Sequence, residues 1–173
     1  MIPTGNLKGK VLHVGSGGGD LPEWCGKCDV VSLDIDPKVN PDIVADMLDM
    51  GDIGTFDIIL TSHVLEHLYD YQIPKALSEF RRVLNNKGTI ITCVPDLEGI
   101  EANDEILYRS MGGVDVTGMH MIYGMIELLD IMPHMAHHTG FTKERLEKLF
   151  EKEGFKNIVV NRVPFNLIGV CQC

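Results

Sequence analysis

The feature that most constrains the fold is residues 11–19, where a short apolar run leads into a loop dense in glycine. The run Val-Leu-His-Val has the length and composition of a buried strand. The glycines that follow are Gly15, Gly17, Gly18 and Gly19. In parallel α/β sheets such a turn presents backbone amides to a nucleotide-like ligand, and glycine is needed because the turn visits positive φ and the ligand approaches the backbone closely. The stretch therefore predicts a nucleotide-binding α/β fold.

Length and charge limit the class of protein and its partners. At 173 residues the chain predicts one domain, residues 1–173, with a sizeable core. No apolar run reaches about 18 residues and the N-terminus lacks the apolar core of a signal peptide, so we expect a cytoplasmic protein with no membrane partner. The net charge of −10 argues against nucleic-acid binding, which depends on Lys and Arg at phosphates, but it allows a small or basic substrate.

Apolar runs bounded by turn residues predict parallel strands separated by helices. The expected strands cover 10–14, 29–34, 42–45, 56–60 and 89–94. A helix is expected over 72–84, where apolar residues recur with a helical period. Another is expected over 142–154, with Thr142 as N-cap and Gly154 as its end. Two final strands, 156–161 and 166–172, are close enough in sequence to form a hairpin.

Residues 95–140 interrupt this alternation. They are rich in Met and His, and Arg109 is their only Lys or Arg. We expect two short helical pieces here, near 103–111 and 119–131, on either side of the glycine pair at 112–113.

Two acidic residues narrow the ligand. Asp34 ends the second strand 19 residues after Gly15, the spacing at which an acid meets a ribose hydroxyl; the alternative is an ordinary exposed loop aspartate. Asp20 stands where the GxGxxG loop of a nicotinamide-dependent dehydrogenase would need glycine, which argues against that class. With the proline two residues later, Asp20 also predicts the start of a short first helix.

Six motifs then carry a resemblance to a known family. They are the glycine stretch at 11–19, Val-Ser-Leu-Asp-Ile-Asp at 31–36, Ile-Val-Ala-Asp-Met at 43–47, and the stretches 56–68, 84–92 and 140–155. In this order and spacing the chain, except residues 95–136, resembles a class I S-adenosylmethionine-dependent methyltransferase, closest to the type 11 group. The resemblance implies a Rossmann-like seven-stranded sheet of order 3-2-1-4-5-7-6 with only strand 7 antiparallel. Residues 95–140 would be a lid-like insertion between strand 5 and the last helix.

The resemblance also implies S-adenosylmethionine as the cofactor. Asp34 would bind the ribose, Asp46 the adenine amino group, and the backbone amide of Met47 the adenine ring. The cofactor contacts we expect are His13, Gly15, Ser16, Gly17, Gly19, Asp34, Ile35, Asp46, Met47, Ser62 and His63.

Two departures from the family pattern support a second hypothesis. His13 occupies the position where the family usually has an acid that orients the glycine loop. The first strand also begins about ten residues into the chain, so the insertion must supply most of the lid. The leading hypothesis is a methyltransferase, and the alternative is a catalytically silent methyltransferase-like binding or regulatory module.

Histidines after the fourth strand and in the insertion are the candidates for the acceptor side. His63, His67 and His137 are the predicted catalytic residues, with pocket shaping as the alternative for His63. The run His134-x-x-His137-His138 has metal-ligand spacing, but lining of the substrate pocket is preferred and no metal is assigned. The insertion has so few basic residues that a neutral or cationic small molecule, or a protein side chain, is the expected acceptor. The oligomeric state is left open, with a homodimer as one option.

The five cysteines raise two other hypotheses. Cys25-x-x-Cys28 and Cys171-x-Cys173 could form a four-thiolate zinc site, and the first pair alone could be a redox motif. The predicted topology separates the two pairs by several strands, each about 4.8 Å from the next. Reduced, mostly buried thiols are therefore the preferred interpretation.

Overall fold

The fold is a mixed α/β structure, given by a computed structural model that describes residues 8–18, 21, 23–110 and 112–173. Its strands are β1 (Lys10–Val14), β2 (Asp29–Asp34), β3 (Ile43–Val44), β4 (Phe56–Ser62), β5 (Leu84–Pro95), β6 (Ile106–Arg109), β7 (Asp115–Thr117), β8 (Lys156–Val163) and β9 (Asn166–Gln172). Its α-helices are α1 (Ile73–Val83), α2 (Gly118–Tyr123) and α3 (Lys143–Lys152).

Seven strands form one sheet in the order β3-β2-β1-β4-β5-β9-β8. The pairs from β3 through β5 are parallel, and β9 is antiparallel to both of its neighbours. This confirms the predicted Rossmann-like topology, with β9 as the seventh strand. In the closing hairpin, β8 ends at Val163, two residues beyond the predicted end of that strand, and the chain turns at Pro164 and Phe165.

The central strands are buried because apolar residues occupy both of their faces. Leu12 and Val14 of β1 face the main core, where α1 and α3 pack through Phe80 and Phe150. Residues on the opposite face form a smaller cluster: Val11, Cys25, Ile58, Leu60 and Ile91. A continuous apolar run is what a strand covered on both sides requires.

The two long helices follow the predicted signals. In α1 the buried residues recur with helical period, Pro74 lies in the first turn, and Leu84 takes an extended conformation that leads directly into β5. The Thr142 hydroxyl caps α3 by accepting from the Arg145 amide at 3.3 Å. Gly154 follows α3 at φ +78°, as predicted for its end.

Residues 96–140 differ most from the prediction. The helical piece expected near 103–111 is wrong, because β6 and β7 form an antiparallel hairpin there. Gly113 turns the chain at φ +79°, and the Ser110 amide donates to the Val114 carbonyl at 2.8 Å. The helix expected over 119–131 is shorter: α2 ends at Gly124, where φ is +87°, and only a 3₁₀ turn at Ile126–Leu128 follows.

The predicted first helix would start at Asp20, which lies outside the described residues. A 3₁₀ turn at Glu23–Lys27 follows in the described part of the chain. Cys25 and Cys171 pack in the clusters on opposite faces of the sheet, so the two cysteine pairs do not converge. Within the described part of the chain, no helix has the length and apolarity needed to cross a membrane.

Candidate cofactor and acceptor site

The glycine loop closes β1 onto the tip of β2. The amides of Gly15 and Ser16 both donate to the Leu33 carbonyl, at 2.8 and 3.2 Å. Gly15 has φ +66°, and a Cβ there would lie 2.4 Å from a methyl of Val64. A Cβ at Gly17, where φ is +54°, would meet nothing within 4 Å. Gly15 is therefore required by packing, whereas Gly17 leaves the backbone open to a ligand. The predicted contact Gly19 lies outside the described residues.

Asp34 joins the loop to β2 through both carboxylate oxygens. Its Oδ2 accepts from the Gly17 amide at 2.8 Å, and its Oδ1 accepts from the Asp36 amide at 2.9 Å. Each carboxylate oxygen has a second lone pair, so Asp34 can still accept from a hydroxyl on the open side. The predicted ribose acceptor therefore also orders the loop.

A cleft of about 210 Å³ opens beside Asp34 at the carboxyl ends of the strands. Asp46 also lines this cleft, and its Oδ1 accepts a hydrogen bond from the Leu48 amide at 2.8 Å. Ile35 is 59% exposed there, although it is apolar. The cleft is lined by Val14, Gly15, Leu33, Asp34, Ile35, Ala45, Asp46, Met47, Leu48, His67, Leu68, Gln72 and His134. Two carboxylates beside exposed apolar side chains fit a ligand with hydroxyls at one end and a planar ring at the other.

His13 and Ser16 line a different cleft, of about 240 Å³, on the other side of the glycine loop. His13 is buried, which lowers its pKa, and the charge of Asp34 offsets part of that effect. Neither residue lines the cleft that contains Asp34 and Asp46. Of the predicted cofactor contacts, Gly15, Asp34, Ile35, Asp46 and Met47 thus line one cleft, and His13 and Ser16 line the other.

His63 follows β4 in a left-handed conformation, at φ +54°. Its Nδ1 lies 3.3 Å from Oε1 of Glu66, and its Nε2 lies 3.9 Å from Sγ of Cys93 on β5. Burial opposes charge on the imidazole, but the contacts with Cys93 and Glu66 prevail and raise the pKa of His63 to about 10. His63 is therefore a cation near neutral pH and a hydrogen-bond donor. Ser62 precedes it and is exposed.

His67 and His137 come together although 69 positions separate them. Their ring centroids lie 5.0 Å apart at an interplanar angle of 65°. Nδ1 of His67 lies 3.1 Å from the Ala136 carbonyl, and Nδ1 of His137 lies 2.9 Å from the Met121 carbonyl. A carbonyl can only accept, so each Nδ1 carries the proton and each Nε2 has a free lone pair. Burial also lowers the pKa of His137.

The other histidines of the insertion have different partners. His134 lines the cleft that contains Asp34 and Asp46, and His138 stacks on Tyr69 with ring centroids 4.0 Å apart. His120 contacts Glu127, with Nε2 to Oε1 at 3.0 Å. The predicted run His134-x-x-His137-His138 therefore does not converge on one point.

Two residues beside the site have larger roles than their sequence context indicated. Glu66 is 1% exposed, lies 3.3 Å from His63, and has an oxygen within 4.8 Å of the ligand atoms of His67 and His137. Cys93 was not predicted to lie at the site. The register of two parallel strands could have indicated it, because Cys93 on β5 pairs with Ser62 at the end of β4.

Comparisons with known proteins agree with this geometry. Residues 1–160 match a family model described as a methyltransferase domain. No curated protein matches the chain in sequence. Among solved structures, the DhpI-SAM-HEP complex is similar at a TM-score of 0.70 and 16% identity, covering 99% of this chain and 82% of that chain.

A second similar structure is that of Burkholderia thailandensis 1,6-didemethyltoxoflavin-N1-methyltransferase with bound 1,6-didemethyltoxoflavin and S-adenosylhomocysteine. Its TM-score is 0.63 at 14% identity, and the match covers 95% of this chain and 71% of that chain. At these identities the likeness shows a shared fold.

Proposed function

The chain belongs to the family of S-adenosylmethionine-dependent methyltransferase domains, and we propose that its acceptor is a neutral or cationic small molecule. The observation that carries the proposal is the cleft at the strand ends, which is lined both by Asp34 and Asp46 and by His67 and His134. A nucleoside-binding region and a group of imidazoles thus share one opening.

We assign the cofactor to the glycine loop and the tips of β2 and β3. When bound, S-adenosylmethionine supplies an electrophilic methyl group. Asp34 would accept from the ribose hydroxyls, Asp46 would face the adenine amino group, and Ile35 and Met47 would contact the ring. The two carboxylates are already hydrogen-bonded to backbone amides, so little ordering of them would be needed on binding.

The acceptor side is assigned to the histidines around Glu66. An unprotonated Nε2 of His67 or His137 can accept a hydrogen bond or a proton from an acceptor hydroxyl or amine. His63 is charged near neutral pH, so we assign it to donate a hydrogen bond and to position the acceptor rather than to act as a base. All three residues lie at or just beyond the ends of β4 or in the insertion.

Charge supports the choice of acceptor. Arg109 is the only Lys or Arg in residues 95–140, and it lies on β6 beside Asp115. Of the acidic residues nearby, Asp34 and Asp46 line the cleft, and Glu66 lies 3.3 Å from the charged His63. An anionic acceptor would find no other Lys or Arg in residues 95–140 to pair with, whereas a neutral or cationic one needs none. A side chain of a partner protein is the second candidate, because the same charges would accept it.

The cofactor half of the proposal is tested by calorimetry with S-adenosylhomocysteine. Asp34→Asn leaves one oxygen where two backbone amides now donate, and we expect affinity to fall on the order of 10- to 100-fold. Asp36→Asn is the matched control, because its remaining oxygen can still accept from the Lys38 amide. Equal affinity for both variants would contradict the assignment of Asp34.

The acceptor half is tested by methyl transfer from labelled S-adenosylmethionine to a panel of neutral, cationic and anionic small molecules and to protein extracts. Label in neutral or cationic compounds is expected, and label only in anionic compounds or nucleic acid would overturn the assignment. Binding of S-adenosylhomocysteine without any transfer would favour the silent binding module that His13 motivates.

A further inference from the structure

The polar cluster beyond the cofactor cleft consists of Glu66, His67 and His137. Each of the three can offer one ligand atom, and these atoms lie within 4.8 Å of one another. Glu66 and His67 belong to the 3₁₀ turn after β4, and His137 comes from the insertion. The grouping is therefore made by the fold and not by sequence spacing.

The carboxylate of Glu66 is the most unusual member of this cluster. It is 1% exposed, and no hydrogen-bond partner in the described part of the chain satisfies either of its oxygens. Nδ1 of His63 lies 3.3 Å from Oε1 and offers a charge there, but without hydrogen-bond alignment. A buried carboxylate needs hydrogen bonds or metal coordination as well as a nearby charge, and neither oxygen of Glu66 has a hydrogen-bond partner among the described residues.

Both imidazoles are held as metal-binding histidines usually are. Each Nδ1 donates to a backbone carbonyl, Ala136 for His67 and Met121 for His137, so each Nε2 is fixed as a lone-pair donor. Carbonyl partners of this kind orient ligand imidazoles and raise their basicity. Neither ring is thus free to turn its protonated nitrogen toward Glu66 without breaking a hydrogen bond.

We propose that Glu66, His67 and His137 form a binding site for a divalent transition-metal ion. Two imidazoles and one carboxylate suit Zn²⁺ and the related ions Co²⁺ and Fe²⁺, whereas Mg²⁺ and Ca²⁺ prefer oxygen ligands. Zn²⁺ bonds of about 2.0–2.1 Å place tetrahedral ligand atoms roughly 3.4 Å apart. The ligand atoms of the three residues, which lie within 4.8 Å of one another, would therefore have to approach by up to about 1.4 Å on binding. Three protein ligands leave at least one position for an exogenous ligand.

The site does not depend on which molecule is methylated. Because His137 lies in the insertion and the other ligands follow β4, a bound ion would fasten the insertion to the sheet beside the cofactor cleft, which His67 also lines. While the ion is bound, His67 and His137 would serve as its ligands, and the ion would polarise an acceptor atom in the open position.

The test is titration of the metal-free chain with Zn²⁺ by calorimetry and with Co²⁺ by visible absorption. We expect one ion per chain. His137→Gln and Glu66→Gln should each weaken binding by at least 10-fold, whereas His134→Gln and His138→Gln should leave it within about 3-fold. Absence of a thiolate-to-cobalt charge-transfer band would show that the cysteines are not the ligands.

Circular dichroism and affinity for S-adenosylhomocysteine control for folding. If the buried Glu66→Gln variant does not fold, the half-buried His137 and His67 decide the question. No binding by the wild-type chain, equal binding by His137→Gln and His134→Gln, or a thiolate band that carries all the bound cobalt would each overturn the proposal. Failure of methyl transfer alone would not, since the titrations use neither cofactor nor acceptor.

Discussion

The sheet region that holds the cofactor cleft and the insertion at 96–140 are stabilised in different ways. The main core joins strands to α1 and α3 through fully buried apolar side chains such as Leu12, Phe80 and Phe150. In the insertion, the buried apolar side chains of the described residues are Val116 and Met121, and neither belongs to that core.

Backbone hydrogen bonds attach the insertion to the sheet instead. The amides of His138 and Thr139 both donate to the Glu66 carbonyl, at 2.8 and 3.1 Å, and the Thr139 hydroxyl donates to the Leu68 carbonyl at 2.7 Å. The two amide contacts do not depend on side-chain identity, whereas the Thr139 contact and the stacking of Tyr108 on Phe165 do. The insertion is therefore held by separate polar and aromatic contacts rather than by a share of the main core.

The largest expected effect lies in the sheet region, at Gly15. Gly15→Ala would place a Cβ 2.4 Å from the buried Val64 side chain at φ +66°, and we expect it to lower the free energy of unfolding by about 3 kcal/mol. Gly17→Ala has a similar φ but open space, so the expected loss is about 1 kcal/mol. Urea denaturation of both variants measures the difference.

Cofactor binding distinguishes the two glycines in a second way. Gly15→Ala should weaken S-adenosylhomocysteine by disturbing the amide contacts with Leu33, whereas Gly17→Ala should weaken it through the methyl group itself. If both variants lost equal stability, the contact between Gly15 and Val64 would not be the reason that position 15 requires glycine.

The sequence predicted the sheet region better than it predicted the insertion. The strands from β1 to β5, the order of the sheet, α1, and the Thr142 cap were predicted because burial on a sheet imposes a periodic pattern that can be read locally. The bounds of β5 were less accurate, since its strand begins at Leu84, five residues earlier than expected. The residues just before the predicted strand, Asn-Asn-Lys-Gly at 85–88, are of turn-forming types, yet the structure includes them in β5 with Lys87 at φ +67°.

The insertion could not be predicted in this way, because its partners are distant in sequence. Tyr108 stacks on Phe165 of the closing turn, with centroids 4.7 Å apart, and His137 meets His67 across the cleft. The hairpin of β6 and β7 has a glycine turn that also suited a break between helices. Of the predicted catalytic histidines, the pairing of His67 with His137 needed the three-dimensional structure.

A smaller effect is expected at Gly118, the first residue of α2. A Cβ there would lie 1.9 Å from the Glu101 carbonyl oxygen, so Gly118→Ala must displace either the start of α2 or the segment around Glu101. We expect a loss of about 2 kcal/mol in unfolding free energy, a fall in methyl transfer, and affinity for S-adenosylhomocysteine within about 2-fold of wild type. Gly112→Ala is the control, since its nearest neighbour would be Ser110 Oγ at 3.9 Å.

This variant also tests whether the two regions are separable. If Gly118→Ala weakened S-adenosylhomocysteine as strongly as it reduced methyl transfer, the insertion would contribute to the cofactor site. The proposed division between a cofactor region in the sheet and an acceptor region in the insertion would then be wrong.

The smallest effect concerns Glu79, which joins α1 to the segment that follows β3. Its carboxylate pairs with Arg82, with Nη2 to Oε2 at 2.8 Å, and accepts from the Met50 amide at 3.1 Å. The hydrogen bonds from Arg82 and then from Met50 outweigh burial and lower the pKa of Glu79 to about 2, from 4.5. Glu79→Gln should reduce the free energy of unfolding by about 1–2 kcal/mol at neutral pH.

The contribution of Glu79 to the free energy of unfolding should depend on pH. A carboxyl whose pKa is lower in the folded state stabilises the fold above its unfolded pKa, so the Glu79 contribution should be complete above about pH 4.5 and decline as pH falls toward 2. The difference between wild type and Glu79→Gln in urea midpoints should shrink over that range. Glu144→Gln on α3 is the control, because its pair with Lys148 is exposed and solvent screens it. A difference independent of pH would show that Glu79 acts by packing, and that the sheet region depends on apolar burial alone.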